Sequence, residues 1–150
     1  MSALVLRDYR DEDCEAAIAL WLRAWDAALP EIDFSTRLAW WRDRWTRELV
    51  SNNAIRIAER DGQIAGFFVI DPRSGYLDQI AVAPEAWSTG VADALLDEAK
   101  RISFAGISLE VNQENARAVR FYERAGFVRT GAGVNPLSGR PTWRYAWKAG

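Results

Sequence analysis

The 150-residue sequence contains no histidine and only one cysteine, Cys14. Without histidine, the chain has no Ser-His-Asp triad, no imidazole metal ligand and no side chain of the type that most often moves protons near neutral pH. A single cysteine excludes an internal disulfide and a cysteine-rich zinc site, so we expect no metal. Acid–base chemistry therefore has to use carboxylates, tyrosine, lysine or water.

The sequence also lacks long apolar runs and an excess of basic charge. No apolar segment approaches the ~20 residues that span a membrane, and the first residues lack the order of a signal peptide, which predicts a cytoplasmic protein without a membrane partner. The net charge of −2 gives no general attraction to nucleic acid, so none is expected as a partner. Without repeats, linkers or low-complexity segments, the chain is predicted to form one domain over residues 1–150.

Hydrophobic periodicity predicts the element order β-α-α-β-β-β-α-β-α-β-β. Asp61-Gly62 predicts a tight hairpin, and the apolar run 67–70 after it predicts a strand covered on both faces. Ser35 is the expected N-cap of the second helix, and Gly126 is expected to end the last one. The order implies an α/β fold, a mixed sheet with helices on both faces.

A glycine-containing loop, the first part of WSTGVADALL (87–96), runs directly into a predicted helix. The first N–H groups of a helix have no partner inside it, which suits a phosphate. Gly90 allows a ligand to approach the backbone closely, and Ala92 is small. The loop contains no Lys or Arg, so phosphate binding here would depend on backbone amides and hydroxyls. An ordinary helix cap is the alternative interpretation.

Two segments resemble the GNAT superfamily of N-acetyltransferases. The first, IAVAPEAWSTGVADALLDEAK, and the second, LEVNQENARAVRFYERAGF, contain the family's features in order: Ile80–Val82, Pro84-Glu85, Gly90, Ala92, Asn115, Tyr122 and Gly126-Phe127. Either segment alone is a weak signal, but together they span about residues 76–127 at the family's separation. The resemblance implies the GNAT fold, a mostly antiparallel central sheet in which one parallel pair, here residues 76–83 and 107–111, separates.

The resemblance also implies acetyl-CoA as co-substrate. The implied cofactor-binding residues lie on the strand end, in the loop and before the next helix: Ile80, Ala81, Val82, Ser88, Thr89, Gly90, Val91, Ala92, Asp93 and Asn115. The pantetheine arm would bond to the strand's open backbone, and the pyrophosphate would bind the loop amides. Trp87 stands where the family usually has Gln or Arg, which predicts weaker phosphate binding.

The implied reaction is direct attack of a primary amine on the thioester of acetyl-CoA. A free amine has a pKa near 10, so it has to lose a proton before it attacks. Tyr122 matches the family's tyrosine that protonates the departing thiolate, with helix packing as its alternative role. Glu110 matches a carboxylate that some members use as a base, and Asp78, Glu31 and Asp33 are its rivals.

The sequence contains eight tryptophans, most of which fit predicted core faces, and an aromatic acceptor pocket stays open. Two other function classes stay open as well: a GNAT-fold module that binds acyl-CoA without turnover, and a tryptophan-rich interaction domain. The acceptor, either a small molecule or a peptide amine, cannot be read from the residues. Neither can the oligomeric state, with a homodimer among the options.

Overall fold

The computed structural model describes residues 3–149, so Met1, Ser2 and Gly150 of the predicted domain lie outside the described residues. Seven strands form two antiparallel sheets. The first has the order β1 (Val5–Asp8), β2 (Ala54–Arg60), β3 (Gln63–Ile70), β4 (Leu77–Val82); the second has the order β5 (Ile107–Asn112), β7 (Pro141–Trp147), β6 (Val128–Val134). The predicted element order is confirmed over these residues.

The helices lie between the strands as predicted. They are α1 (Cys14–Ala28), α2 (Leu38–Arg44) with a π-helical segment (Trp45–Leu49) and α3 (Val50–Asn52) continuing it, α4 (Val91–Ile102) and α5 (Ala116–Arg124). None of the helices in residues 3–149 is long and apolar enough to cross a membrane.

The N-cap predicted at Ser35 is wrong. Asp33 accepts the Ser35 N–H (3.1 Å) and caps a short 3₁₀ turn, Phe34–Arg37, which precedes α2. Aspartate caps helices as well as serine does, and here it stands two residues earlier. The extra turn delays the start of α2 to Leu38.

Strand β3 is covered on both faces, as its apolar run predicts. On one face, the Trp45 ring meets Phe67 edge-on, with ring centroids 5.2 Å apart. On the other face, a Cβ added to Gly66 would lie 2.9 Å from Leu95 of α4. Phe67 and the three residues after it have no exposed surface. Helices therefore lie on both faces of the first sheet, and these contacts hold α4 in place.

Two turns predicted from glycine are confirmed. Asp61 and Gly62 have φ angles of +57° and +75°, which suits the tight hairpin between β2 and β3. Gly126, with φ +94°, follows the end of α5 and turns the chain into β6.

The predicted parallel pairing of residues 76–83 with residues 107–111 is not confirmed as a ladder. One isolated parallel bridge joins Tyr76 to Ser108, and the Ser108 N–H donates to the Gly75 carbonyl (3.0 Å). Beyond that bridge, within residues 3–149, β4 pairs only with β3 and β5 only with β7. Because each strand follows the twist of its own sheet, a cleft lies between their ends.

Candidate functional site

A cleft of about 830 Å³ runs between the separated strands and along the helices. We call its two regions the loop half, formed by residues 80–93 and 115–124, and the tryptophan half, formed by residues 21–44 and 76–79. Strand β5 contributes Leu109, Glu110 and Val111 to the lining. The cleft therefore brings the two sequence segments and the first two helices to one surface.

In the loop half, the start of α4 presents backbone amides without partners inside the helix. The first hydrogen bond of α4 runs from the Ala94 N–H to the Gly90 carbonyl (3.0 Å). The amides of Val91, Ala92 and Asp93 precede this bond, so no carbonyl inside the helix accepts them. Ala92 and Asp93 line the cleft, whereas Val91 has no exposed surface. Together with the helix dipole, they form a site that favours an anion.

The backbone of this loop is shaped for close approach. Gly90 has φ +91°, and a Cβ added there would meet nothing within 4 Å, so space lies open above it. Ser88 has φ +64°, a left-handed conformation that is uncommon outside glycine and is found at functional sites. Thr89 is engaged locally, because its N–H (3.3 Å) and hydroxyl (2.5 Å) both donate to the Ala86 carbonyl.

The cleft edge of β4 is partly open. Ala83 donates its N–H to β3 (2.8 Å), and alternate residues of a strand bond to opposite sides. The backbone of Ala81 therefore turns toward β3, while those of Ile80 and Val82 turn toward the cleft. The Val82 carbonyl accepts the indole N–H of Trp87 (3.0 Å), whereas Ile80 has no partner strand on that side.

Two further predicted residues, Asn115 and Tyr122, line the same cleft. Asn115 caps α5, since its side-chain oxygen accepts the Ala118 N–H (3.2 Å). Tyr122 packs between the rings of Phe121 and Phe127 and is 7% exposed. Its hydroxyl has no hydrogen-bond partner in the described part of the chain. Burial raises the pKa of the Tyr122 phenol, which keeps the proton on it.

Of the four candidate bases, the structure brings two to the cleft. Glu110 accepts a hydrogen bond from Arg144 (3.0 Å) in a pair exposed to solvent, and Asp78 accepts two from Arg44 (2.9 and 2.5 Å) in a more buried pair. An exposed pair contributes only about 0–1 kcal/mol, so Glu110 is the freer of the two carboxylates.

The other two candidate bases, Glu31 and Asp33, lie outside the cleft lining. Glu31 faces Arg140 (3.7 Å), and Asp33 is the cap of the turn before α2. Sequence reasoning missed Tyr76, which lies near both cleft carboxylates. Desolvation and the negative charges of Asp78 and Glu110 raise the pKa of the Tyr76 phenol.

The tryptophan half is aromatic. Trp21 stacks on Trp41 with centroids 4.6 Å apart, and both indole N–H groups are buried without a partner in residues 3–149. Trp25 and Trp40 also line the cleft, and Trp40 is 45% exposed. Aromatic rings therefore line this half of the cleft, and its role as an acceptor pocket stays a prediction.

Sequence reasoning also missed a row of arginines on α5. Arg117, Arg120 and Arg124 recur at helical spacing and line the loop half. The signal was present in NARAVRFYER, where charged residues alternate with the apolar face that contains Tyr122.

Comparison with known proteins agrees with the two segments and the fold. Residues 7–127 match the family model described as "Acetyltransferase (GNAT) family". The peptidyl-lysine N-acetyltransferase YiaC of Escherichia coli (strain K12) is 28% identical over 146 residues, which cover 95% of this chain and 96% of YiaC. This relative is similar across nearly its whole length.

Solved structures show the same fold. The apo form of YjaB from Escherichia coli superposes with a TM-score of 0.79 at 24% identity and covers 97% of each chain. The PaiA N-acetyltransferase of Thermoplasma acidophilum, solved in complex with coenzyme A, has a TM-score of 0.80 at 18% identity and covers 97% of this chain and 99% of its own. The predicted mixed α/β fold is confirmed.

Proposed function

This chain belongs to the GNAT family of acetyltransferases, and from that premise we propose that it transfers the acetyl group of acetyl-CoA to the primary amine of a lysine side chain in a peptide or protein. It is an N-acetyltransferase that depends on acetyl-CoA. One observation carries the proposal: a single cleft contains the free amides of α4, the unpartnered hydroxyl of Tyr122 and the exposed carboxylate of Glu110. The name of YiaC supports lysine as the acceptor.

The residues of the loop half fit acetyl-CoA, which supplies an acetyl group activated as a thioester. The amides of Ala92 and Asp93, which have no partner among the described residues, suit the pyrophosphate, and the open space over Gly90 admits it. The open backbone of Ile80 suits the amides of the pantetheine arm. The further proposed contacts come from the end of β4, from the loop and from the two helix starts: Ala81, Val82, Ser88, Thr89, Val91 and Asn115.

We propose that Tyr122 acts as the acid and Glu110 as the base in a direct transfer. The amine nitrogen forms a bond to the acetyl carbon, and the carbon–sulfur bond breaks. Tyr122 donates its proton to the departing sulfur, and Glu110, through water, takes the proton that the amine has to lose. Solvent then restores the proton of Tyr122.

The same proposal covers the setting of the reaction. A single buried core joins residues of both sheets, which supports one catalytic domain over residues 1–150. A cytoplasmic location suits a chain with one cysteine and no disulfide. We propose no nucleic acid or membrane as partner, in keeping with the net charge of −2.

The test separates lysine from other amines. Purified protein is incubated with acetyl-CoA and either a peptide whose only amine is a lysine side chain or a matched peptide whose only amine is the N-terminus. Thiol release and mass spectrometry are followed together. We expect thiol release matched by acetylation of the lysine peptide. Acetylation of the N-terminal peptide alone, or thiol release without any acetylated product, would contradict the proposal.

A further inference from the structure

Trp87 and Arg117 form a pair at the rim of the loop half. The guanidinium carbon of Arg117 lies 3.9 Å from the centroid of the Trp87 ring. The Trp87 indole N–H is bonded to the Val82 carbonyl (3.0 Å), so the ring is tied to the end of β4. The pair therefore connects α5, the loop before α4 and β4.

Arg117 and its neighbour Arg120 have no acidic partner in the described part of the chain. Most other arginines of this protein form ion pairs, for example Arg101 with Glu98 (2.7 Å), whereas Arg37, Arg60 and Arg124 have no acidic partner among the described residues either. Desolvation and the positive charge of Arg120 lower the pKa of Arg117, although a guanidinium stays charged at neutral pH. Two cations that repel each other beside a cleft are relieved by an anion that binds between them.

The anion site next to this pair contains no cation of its own. The loop from Trp87 to Gly90 contains neither Lys nor Arg. Trp87 and Gly90 line the same cleft as Arg117. A guanidinium stacked by its face on an indole keeps its N–H edge free, and that edge matches two phosphate oxygens. Because stacking already restricts the long arginine side chain, the conformational entropy that it loses on binding a ligand is smaller.

We infer that Arg117, held on the face of Trp87, is the phosphate-binding cation of this cleft and replaces the basic residue that the loop lacks. Arg120 adds a second positive charge. The ligand is a phosphate of coenzyme A, either the pyrophosphate or the 3′-phosphate, and the inference rests on the proposed binding of acetyl-CoA. Trp87 thus supports phosphate binding instead of weakening it.

Calorimetric titration of the protein with CoA, dephospho-CoA and pantetheine tests the inference. Arg117→Ala should weaken CoA binding roughly 10- to 100-fold, as expected for the loss of charge-assisted hydrogen bonds, and leave pantetheine binding unchanged. If Arg117→Ala loses as much affinity for dephospho-CoA as for CoA, Arg117 binds the pyrophosphate. If it loses affinity for CoA alone, Arg117 binds the 3′-phosphate.

Matched variants separate the role of the pair from general charge. Trp87→Gln should lower CoA affinity about as much as Arg117→Ala does. The double variant should lower CoA affinity little further, because the two side chains act as one unit. Arg101→Gln, which removes a cation outside the cleft, should bind CoA like the wild type.

Two results overturn the inference and differ from failure of the proposed function. If Arg117→Ala binds CoA as tightly as the wild type does, Arg117 is not the phosphate-binding cation. If Arg117→Ala loses as much affinity for pantetheine as for CoA, Arg117 has a structural role instead. Absence of CoA binding by the wild type contradicts the proposed function itself.

Discussion

The two halves of the cleft differ in where their unpartnered polar groups lie. In the loop half, the amides of Ala92 and Asp93 and the Tyr122 hydroxyl face the cleft without a hydrogen-bond partner among residues 3–149, and Arg117 has no acidic partner there. In the tryptophan half, Asp78 is paired with Arg44, and the unpartnered indole N–H groups of Trp21 and Trp41 are buried among other aromatic rings, within the described residues.

Amides that face a cleft at a helix N-terminus favour an anion, and the left-handed Ser88 is typical of functional sites, so we expect the loop half to bind the phosphates. The tryptophan half offers aromatic surface beside the Arg44–Asp78 ion pair. We therefore expect changes in the loop half to affect cofactor binding, changes at Tyr122 to affect turnover, and changes among the tryptophans to affect the acceptor.

The largest expected effect is on turnover. Tyr122→Phe keeps the ring that packs against Phe121 and Phe127 but removes the proton. We expect kcat to fall about 10²- to 10⁴-fold with little change in CoA affinity. Steady-state kinetics and CoA titration on the same preparation measure the two quantities.

The pH profile sharpens this prediction. Burial raises the pKa of Tyr122, so its proton is retained as pH rises, and the wild-type rate should climb with amine deprotonation without falling before about pH 10. Tyr145→Phe is the control, since that buried hydroxyl donates to Glu123 (2.7 Å) outside the cleft. Full activity of Tyr122→Phe would leave the tyrosine a packing residue only.

The next effect is on cofactor binding. Gly90→Glu places bulk and negative charge in the open space over the loop, against the phosphates. We expect CoA affinity to fall by about 100-fold or more, because like charges brought together cost several kcal/mol. Gly62→Glu is the matched control: it introduces the same charge at φ +75°, also in open space, in the β2–β3 hairpin. If both variants bind CoA equally well, the loop is not the phosphate site.

A smaller, pH-dependent effect is expected at Glu110. Glu110→Gln should lower the rate about 10-fold near neutral pH. The difference in rate between the variant and the wild type should decrease toward pH ~10, because the amine is already neutral there and needs no base. Rates of both proteins across this range check the prediction. Glu114→Gln, which removes the carboxylate paired with Arg140 (2.8 Å), serves as control. A constant ratio at all pH values would exclude Glu110 as the base.

The smallest effect is expected in the tryptophan half. Trp40→Ala removes an exposed ring from the cleft and should raise KM for a peptide acceptor about 2- to 10-fold, with CoA affinity unchanged. Phe104→Ala is the control, because Phe104 is 74% exposed and lies outside the cleft. A larger change in CoA affinity than in acceptor KM would break the division into two halves.

The division also explains what the sequence could predict. The sequence predicted the turns at Asp61-Gly62 and Gly126 and the open backbone at Gly90. Each of these positions has a local backbone conformation that glycine or aspartate accommodates. The burial of residues 67–70 followed from a continuous apolar run. The two segments that resemble the GNAT family were recognisable because their residues recur at a fixed spacing.

Long-range pairings could not be predicted in the same way. The partner of Trp87 comes from α5, 30 positions later, and Asp78 meets Arg44 from α2. Such contacts depend on how helices pack across the sheets, which no local pattern encodes. The rival bases Glu31 and Asp33 were reasonable by charge alone and were separated from the cleft only by the tertiary arrangement.

The most direct test of the account is a titration of the isotope-labelled protein with CoA, followed by amide NMR spectra. We predict that the largest shifts fall on the amides of Gly90, Val91, Ala92 and Asp93, with a further shift at Ile80 and none on β6. Binding of CoA that leaves the α4 amides unshifted would contradict the assignment of this loop as the phosphate site.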